Sequence, residues 1–366
     1  MNQNRVFVLS SSLILLVGAL SFGQTLPTPA PEPESLPSWV LYGLGQQAAD
    51  EKRFGEALVF FRKAVDRKGI YPEAEAALAK IAGQGEGTAL QEAELQKALD
   101  QRGLLQVPDD RYALLYALAD LRLRSDPGTS VEKGEAALET WREILKDDTA
   151  FQAVDQAGGL DGYYNALMGK TSTVTFKTAT GPSLTQAMVG LNKVLYLYRH
   201  PLGFSLRAHQ EIAALSVTNK AYKKAVGHSL FALVGIFSTV IEQVKVIHPD
   251  YVFRSLDELF SDPTSDVYLG KPAGIRETSP GPGGPNLGAL VRYRPIWDYL
   301  RSVGTERSFT TLLAALDGLA AQEKTQGLAP GLRPVKDVAA EVRRWRGLVF
   351  PEISPNVPLR KVSTRG

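Results

Sequence analysis

Helix-length segments separated by short breaks run through most of this 366-residue chain, and that spacing constrains the fold more than any motif. In the first pair, Ser38–Asp50 and Phe54–Asp66, apolar residues recur at helical spacing: Leu41, Leu44 and Ala48, then Ala57, Phe61 and Ala64. A stripe of that period must bury itself against another element. Glu73–Ala82 and Ala89–Arg102 form a second pair, divided by the GQGEG run at Gly83–Gly87. Arg111–Arg124 and Val131–Lys146 form a third, divided by SDPGTS, where Asp-Pro-Gly stops one helix and Ser130 can cap the next.

Beyond residue 147 the pattern loosens. Gly158, Gly159 and Gly162 interrupt 148–168. Lys170–Gly181 is Thr-rich and β-branched, which predicts a short hairpin or an extended loop. Helices are then expected over Ser183–Tyr198, Ser205–Asn219 and Ala221–Ile247, with His248-Pro249 ending the last and a short turn at Ser255–Phe260. Ala225–Ile241 carries no formal charge if His228 is neutral, and it reads as the buried central helix of a helical domain rather than a bilayer span. Ser261–Leu287 holds five Pro and five Gly, so 261–288 reads as a linker. Three helices follow in 289–350: Pro295–Val303, Ser308–Glu323 and Pro334–Leu348, each proline suiting a first helical position. The fold class is therefore all-α: a helical-hairpin array over 38–147, then a less regular helical domain over 148–260, a linker and C-terminal helices.

The ends of the chain carry addresses rather than fold. Arg5, an apolar run from Val6 to Leu20, and the small residues Ser21 and Gly23 read as a secretory signal peptide over 1–23. Residues 24–37 are an extended proline-rich spacer. The 351–366 tail, with Pro351, Pro355 and Pro358, is expected to be poorly ordered. An exported chain without a single Cys fits a bacterial periplasm, and the missing Cys excludes disulfides, thiolate metal sites and cysteine nucleophiles. With 41 Lys+Arg against 39 Asp+Glu, the net charge of +2 gives no reason to expect a nucleic-acid partner.

The first helix pair, WVLYGLGQQAADEKRFGEALVFFRKAVDRKGIYP, resembles a tetratricopeptide repeat. Leu41, Leu44, Gly45 and Ala48 match the family's helix A, and Phe54, Ala57, Phe61 and Ala64 match helix B. Gly45 and Ala57 are small where two helix axes would cross closely, and Phe54 and Phe61 would fill the groove toward the next repeat. Pro72 comes a few residues later than the pattern puts its terminal proline. Ala137, Trp141 and Ile144 echo helix B, and Ser205–Leu233 echoes the unit again, through Ala213, Tyr222, Ala225 and Ala232. The resemblance implies binding rather than chemistry: a concave face, lined by helix A side chains, that holds a peptide or a partner protein. On the best repeat those positions are Tyr42, Gln46, Ala49 and Asp50.

Apparent catalytic motifs fail on their context. Gly169-Lys170-Thr171 ends like a phosphate-binding loop, but Tyr164 stands where the first Gly is needed. Ser130 and Lys133 have Ser-x-x-Lys spacing without a Lys-Thr-Gly element, since Ala179 follows Lys177-Thr178. Gly227-His228-Ser229 lacks the second Gly of a nucleophile elbow and lies in a helical run. His200, His209, His228 and His248 lack metal-ligand spacing and read as helix-end or half-buried residues, so no metal, cofactor or catalytic residue is expected. Arg343, Arg344 and Arg346 around Trp345, with Arg360, Lys361 and Arg365, offer a basic segment for membrane contact. The expected function is a non-catalytic, exported scaffold binding another protein or peptide of the bacterial envelope. The alternatives are a cell-wall enzyme, marked by a cleft with two carboxylates and one raised pKa, and a periplasmic small-ligand binder.

Overall fold

The apolar stripes of the first six helices are buried by stacking each helix on the one before it. The computed structural model describes residues 36–82, 88–125, 134–177, 181–270 and 287–350. α1 (Ser38–Asp50) packs on α2 (Phe54–Lys68), α2 on α3 (Pro72–Ala82), and α3 on α4 (Thr88–Asp100). A 3-10 turn at Arg102–Leu104 leads to α5 (Asp110–Ser125), which packs on α4 and on α6 (Glu135–Lys146). α1 also touches α3, and α3 touches α5, so alternate helices lie side by side. Leu41, Ala48, Ala57, Phe61 and Ala64 are all buried. A Cβ added at Gly45 would lie 2.5 Å from the Phe61 ring, so the missing side chain is what lets α1 and α2 approach.

Two short helices, α7 (Thr149–Gln156) and α8 (Asp161–Met168), lead into a hairpin of β1 (Ser172–Phe176) and β2 (Leu184–Met188), antiparallel with Val174 opposite Gln186. α9 (Gly190–Leu197) returns to the body. α10 (Leu206–Thr218) then packs on α6 and on α11 (Tyr222–Ile247). Ala208, Ile212 and Leu215 of α10 join the same core cluster as Leu95, Leu118 and Trp141. After the short α12 (Leu256–Phe260), α13 (Leu287–Ser302), α14 (Thr305–Gln326) and α15 (Val335–Val349) complete the chain. α11 is long and apolar enough to cross a membrane by length and composition. In the protein it is buried from Ala225 to Ser238, because α8, α9, α10, α13 and α14 surround it, as an all-round apolar helix requires.

Two hairpins share one turn. In α1–α2, Arg53 N donates to Ala48 O (2.8 Å) and Lys52 N to Ala49 O (3.0 Å). In α10–α11, Ala221 N donates to Ser216 O (2.8 Å) and Lys220 N to Val217 O (3.0 Å). Among the described residues, Lys52 and Lys220 are the non-glycine residues with positive φ, 62° and 59°. This is a Schellman closure with lysine in the left-handed position glycine usually takes. The buried positions also correspond: Leu41, Gly45 and Ala48 in α1 to His209, Ala213 and Ser216 in α10, and Ala57, Phe61 and Ala64 in α2 to Ala225, Ser229 and Ala232 in α11.

The all-α class is as expected, and the structure corrects four details. The helix expected over Ser183–Tyr198 is β2 followed by α9, because pairing with the β-branched β1 overrides the weak local preference of Leu-Thr-Gln-Ala-Met. Pro295 lies inside α13 rather than at a helix start, so that helix lacks one backbone bond there, and buried Ile296, Trp297 and Leu300 hold the turn that follows. Pro334 is the residue before α15. Part of the expected linker is core: Val267 and Leu269 are buried, and Leu269 O accepts from Trp297 Nε1 at 3.1 Å. The signal peptide, most of the proline-rich spacer, Gly83–Gly87, Ser130, residues 271–286 and the tail lie outside the described residues.

Candidate functional site

Tyr42, Gln46, Ala49 and Asp50 share one stripe of α1. Gln46 and Asp50 are exposed, and Tyr42 and Ala49 are half-buried. The Tyr42 ring rests against Phe61 and Tyr71, with centroids 5.8 and 5.4 Å away, and its hydroxyl accepts from Gln46 Nε2 at 2.8 Å. Burial raises the Tyr42 pKa. The stripe is thus polar at its edge and anchored by a ring.

A groove of about 460 Å³ lies between α4, α5 and α6. Leu99, Leu115 and Leu118 form its apolar lining. Glu139 and Glu143 of α6, with Asp147 just past its C-terminal end, line one wall at successive helical turns. Arg102, Arg111 and Arg122 line the other. Arg111 pairs with Asp147 at 3.0 Å, and Arg122 donates to Glu92 and to Thr140 at 2.9 Å each. Arg111 Nε is buried without a hydrogen-bond partner among the described residues. None of the four α1 residues lines this groove.

Where α10 packs on α11, three histidines collect. His209 is fully buried and His228 is 6% exposed, correcting the expectation of helix-end or half-buried residues. Their Nδ1 atoms are 2.9 Å apart. Phe231 stacks on His209 on one side and on His200 on the other, with centroids 4.2 and 4.0 Å away, and Phe151 meets the His209 ring edge-on. His209 Nε2 is buried without a partner among the described residues. A buried unpaired lone pair is tolerated better than a buried unpaired N–H, which assigns the proton to His209 Nδ1, donating to His228 Nδ1. His228 then carries its own proton on Nε2. Burial holds all three pKa values down, and the charges of Lys224 and Arg142 help push that of His228 to about 3. Asp148 ties the same junction together: it caps α7 by accepting from Phe151 N at 3.0 Å and also accepts from Ser205 Oγ.

A further cleft, of about 480 Å³, is lined by His248, Glu258, Asp262 and Asp266. Burial raises the Glu258 pKa, while hydrogen bonds from Thr264 lower that of Asp262. Among the described residues no group of three His, Cys, Asp or Glu side chains could hold a metal ion. Gly227-His228-Ser229 lies buried within α11, away from any strand–helix turn. Arg343, Arg344 and Arg346 pair with Asp317, Asp257 and Glu306, and Trp345 is fully buried between them. The groove acids, the histidine pair and the carboxylate cleft come from distant segments or repeat no motif, so spacing alone did not mark them.

No family model matches the chain. An uncharacterised protein of Borreliella burgdorferi is 23% identical over 252 residues, covering 67% of this chain and 75% of that protein. An uncharacterised protein of Treponema pallidum is 28% identical over 193 residues, covering 52% of this chain and 45% of that protein. The chain thus matches less than half the length of the Treponema relative.

Proposed function

We propose that this protein is a non-catalytic scaffold of a bacterial envelope assembly, exported by its N-terminal segment, that binds a partner protein or peptide through tetratricopeptide-like hairpins. The observation that carries this reading is the shared turn and burial pattern of α1–α2 and α10–α11. A chain that repeats a hairpin down to its turn hydrogen bonds builds by stacking, and stacked hairpins present continuous grooves rather than one closed pocket. The groove between α4 and α6 suits a polar segment. Its acidic and basic walls recognise side chains of both signs, while the leucines desolvate what lies between them. The stripe of Tyr42, Gln46, Ala49 and Asp50 is a second contact surface on the same array. The test is in-cell crosslinking followed by purification of the tagged full chain. A reproducible, stoichiometric envelope protein is the expected result. Return of the protein alone from intact envelopes would count against it.

One observation favours a second reading, an enzyme acting on cell-wall polymer. Glu258 and Asp262 line one cleft with pKa values displaced in opposite directions, the arrangement an acid/base carboxylate pair needs. Purified protein that released fragments from wall polymer, with activity lost in Glu258→Gln, would replace the scaffold reading.

A further inference from the structure

Helices that each pack on the one before alternate in direction, so the starts of α1, α3 and α5 share one edge of the array. Contacts join that edge end to end. Arg67, at the end of α2, donates to Leu36 O just before α1. The Tyr42 ring of α1 meets that of Tyr71, the residue before α3, at 5.4 Å. Gln106 N, in the connection to α5, donates to Glu73 Oε1 of α3 at 2.9 Å. Tyr112 of α5 stacks on Phe204 at 3.8 Å, and Phe204 O accepts from the Tyr116 hydroxyl, which brings the segment before α10 onto the same edge.

This edge exposes a row of large apolar side chains. Trp39 is 69% exposed, Leu104 61%, Ile70 56%, Val107 54% and Phe204 41%. Each stands within three residues of the start of α1, α3, α5 or α10, or in the 3-10 turn before α5. Single apolar residues scattered over a surface are ordinary, but a row along one edge is not. The opposite edge is charged where α1 turns into α2: Asp50, Glu51, Lys52 and Arg53 are all exposed. None of the five apolar residues lines the groove or the carboxylate cleft, so the row is an open surface rather than a pocket. Arg67 and Lys68 precede Ile70, Arg102 precedes Leu104, and Glu73, Asp109 and Asp110 stand by Val107, so charges of both signs flank the row and neither dominates.

We propose that this edge lies on a lipid bilayer, with Trp39, Ile70, Leu104 and Val107 seated among the headgroups and the first acyl carbons. The chain enters the fold here: Leu36 packs beside Tyr42 and Tyr71, and the residues before it carry the apolar run Val6–Leu20. A chain brought to a membrane by that run meets the bilayer with this edge nearest. Tryptophan is favoured at a membrane interface, and the aliphatic tips add buried apolar area. A bilayer is apolar beneath a broad surface, which suits an open row of this kind. With the flanking charges balanced, the attachment is apolar and nearly independent of salt. The proposal adds a lipid contact to the envelope reading and does not need the groove's partner, so either can fail while the other stands.

Trp39 makes the contact directly readable. The other tryptophans, Trp141, Trp297 and Trp345, are buried, so in the free protein acrylamide quenches chiefly Trp39. The full chain is mixed with phosphatidylcholine vesicles, with and without brominated acyl chains. The expected result, in low and high salt alike, is that vesicles shield Trp39 from acrylamide and brominated chains quench it. Ile70→Asp with Val107→Asp, both at exposed positions, should cut the quenching by bromine at least about threefold, even in protein that Val6–Leu20 keeps on the vesicle. Val59→Asp, exposed midway along α2, should leave it unchanged. Unchanged emission from the buried tryptophans shows that each variant is folded. A Trp39 that stays open to acrylamide at saturating lipid would overturn the proposal and leave the edge to a protein partner. Quenching by bromine that survives the double variant would overturn it too, since the apolar run alone would then hold Trp39 at the lipid.

Discussion

Lys52 and Lys220 hold the same left-handed backbone conformation at the tips of two hairpins far apart in the chain, each closed by the same pair of hydrogen bonds. A side chain in that region costs roughly 1 kcal/mol or more, and glycine relieves it. Lys52→Gly should therefore stabilise the protein by about 0.5–1 kcal/mol, because glycine's larger unfolded-state entropy offsets part of the gain. Urea unfolding measures this as a raised midpoint with an unchanged slope. Lys52→Val should lower the midpoint, since branching at Cβ is least tolerated at positive φ.

Gly45 and Phe61 give the second prediction. Gly45→Ala places a methyl group 2.5 Å from the ring, and the helices must part or the ring must move. Overpacking of this kind costs about 1–3 kcal/mol. Adding Phe61→Leu should restore part of the loss, so a double-mutant cycle should show coupling rather than additivity. Additive losses would mean that the two residues do not meet as described.

The hairpins explain how much of this fold was legible. Leu41, Ala48, Ala57, Phe61 and Ala64 are local signals, each readable from helical spacing and each buried as read. The buried central helix was legible too, because a run as apolar as Ala225–Ile241 has few alternatives. β2 was not: Leu184–Met188 has no strand signature of its own and becomes a strand only because β1 pairs with it. Pro295 misled for the same reason, since the core contacts of Ile296 and Trp297 decide that helix's course. The candidate sites were harder still. Glu139, Glu143 and Asp147 look like solvated helix surface until α4 and α5 supply the opposite wall, and His209 and His228 meet only when α10 folds against α11.

Acid should loosen the junction that the histidines fill. His209 and His228 are buried neutral, with folded pKa values below the ordinary 6.5 and that of His228 near 3. The unfolded chain therefore binds more protons, and stability is fully present above about pH 6.5 and lost as pH falls toward 3. His228 contributes up to about 1.4 kcal/mol per pH unit within that window, and His209 acts in the same direction. The measured Tm should fall steeply between pH 6.5 and 5. His209→Leu, which installs the residue found at the corresponding position 41, should flatten that slope. A Tm independent of pH over this range would contradict the buried neutral pair.

Asp148 should matter out of proportion to its size. It caps α7 and receives the Ser205 hydroxyl, joining the array to the segment that begins α10. Asp148→Ala should cost about 1–2 kcal/mol for the lost cap and roughly 1 kcal/mol or more for the stranded hydroxyl. Adding Ser205→Ala should recover the second part. Thermal unfolding of the single and double variants separates the two contributions.

The central claim is that the array's groove holds a partner. Site-specific photocrosslinking in living cells tests it most directly, with the photoreactive side chain placed at Gln96 or Glu143 in the groove, or at Val246, which is 82% exposed at the far end of α11. The account predicts one discrete, larger adduct from each groove position and none from Val246. No adduct from the groove, or the same adducts from all three positions, would contradict it.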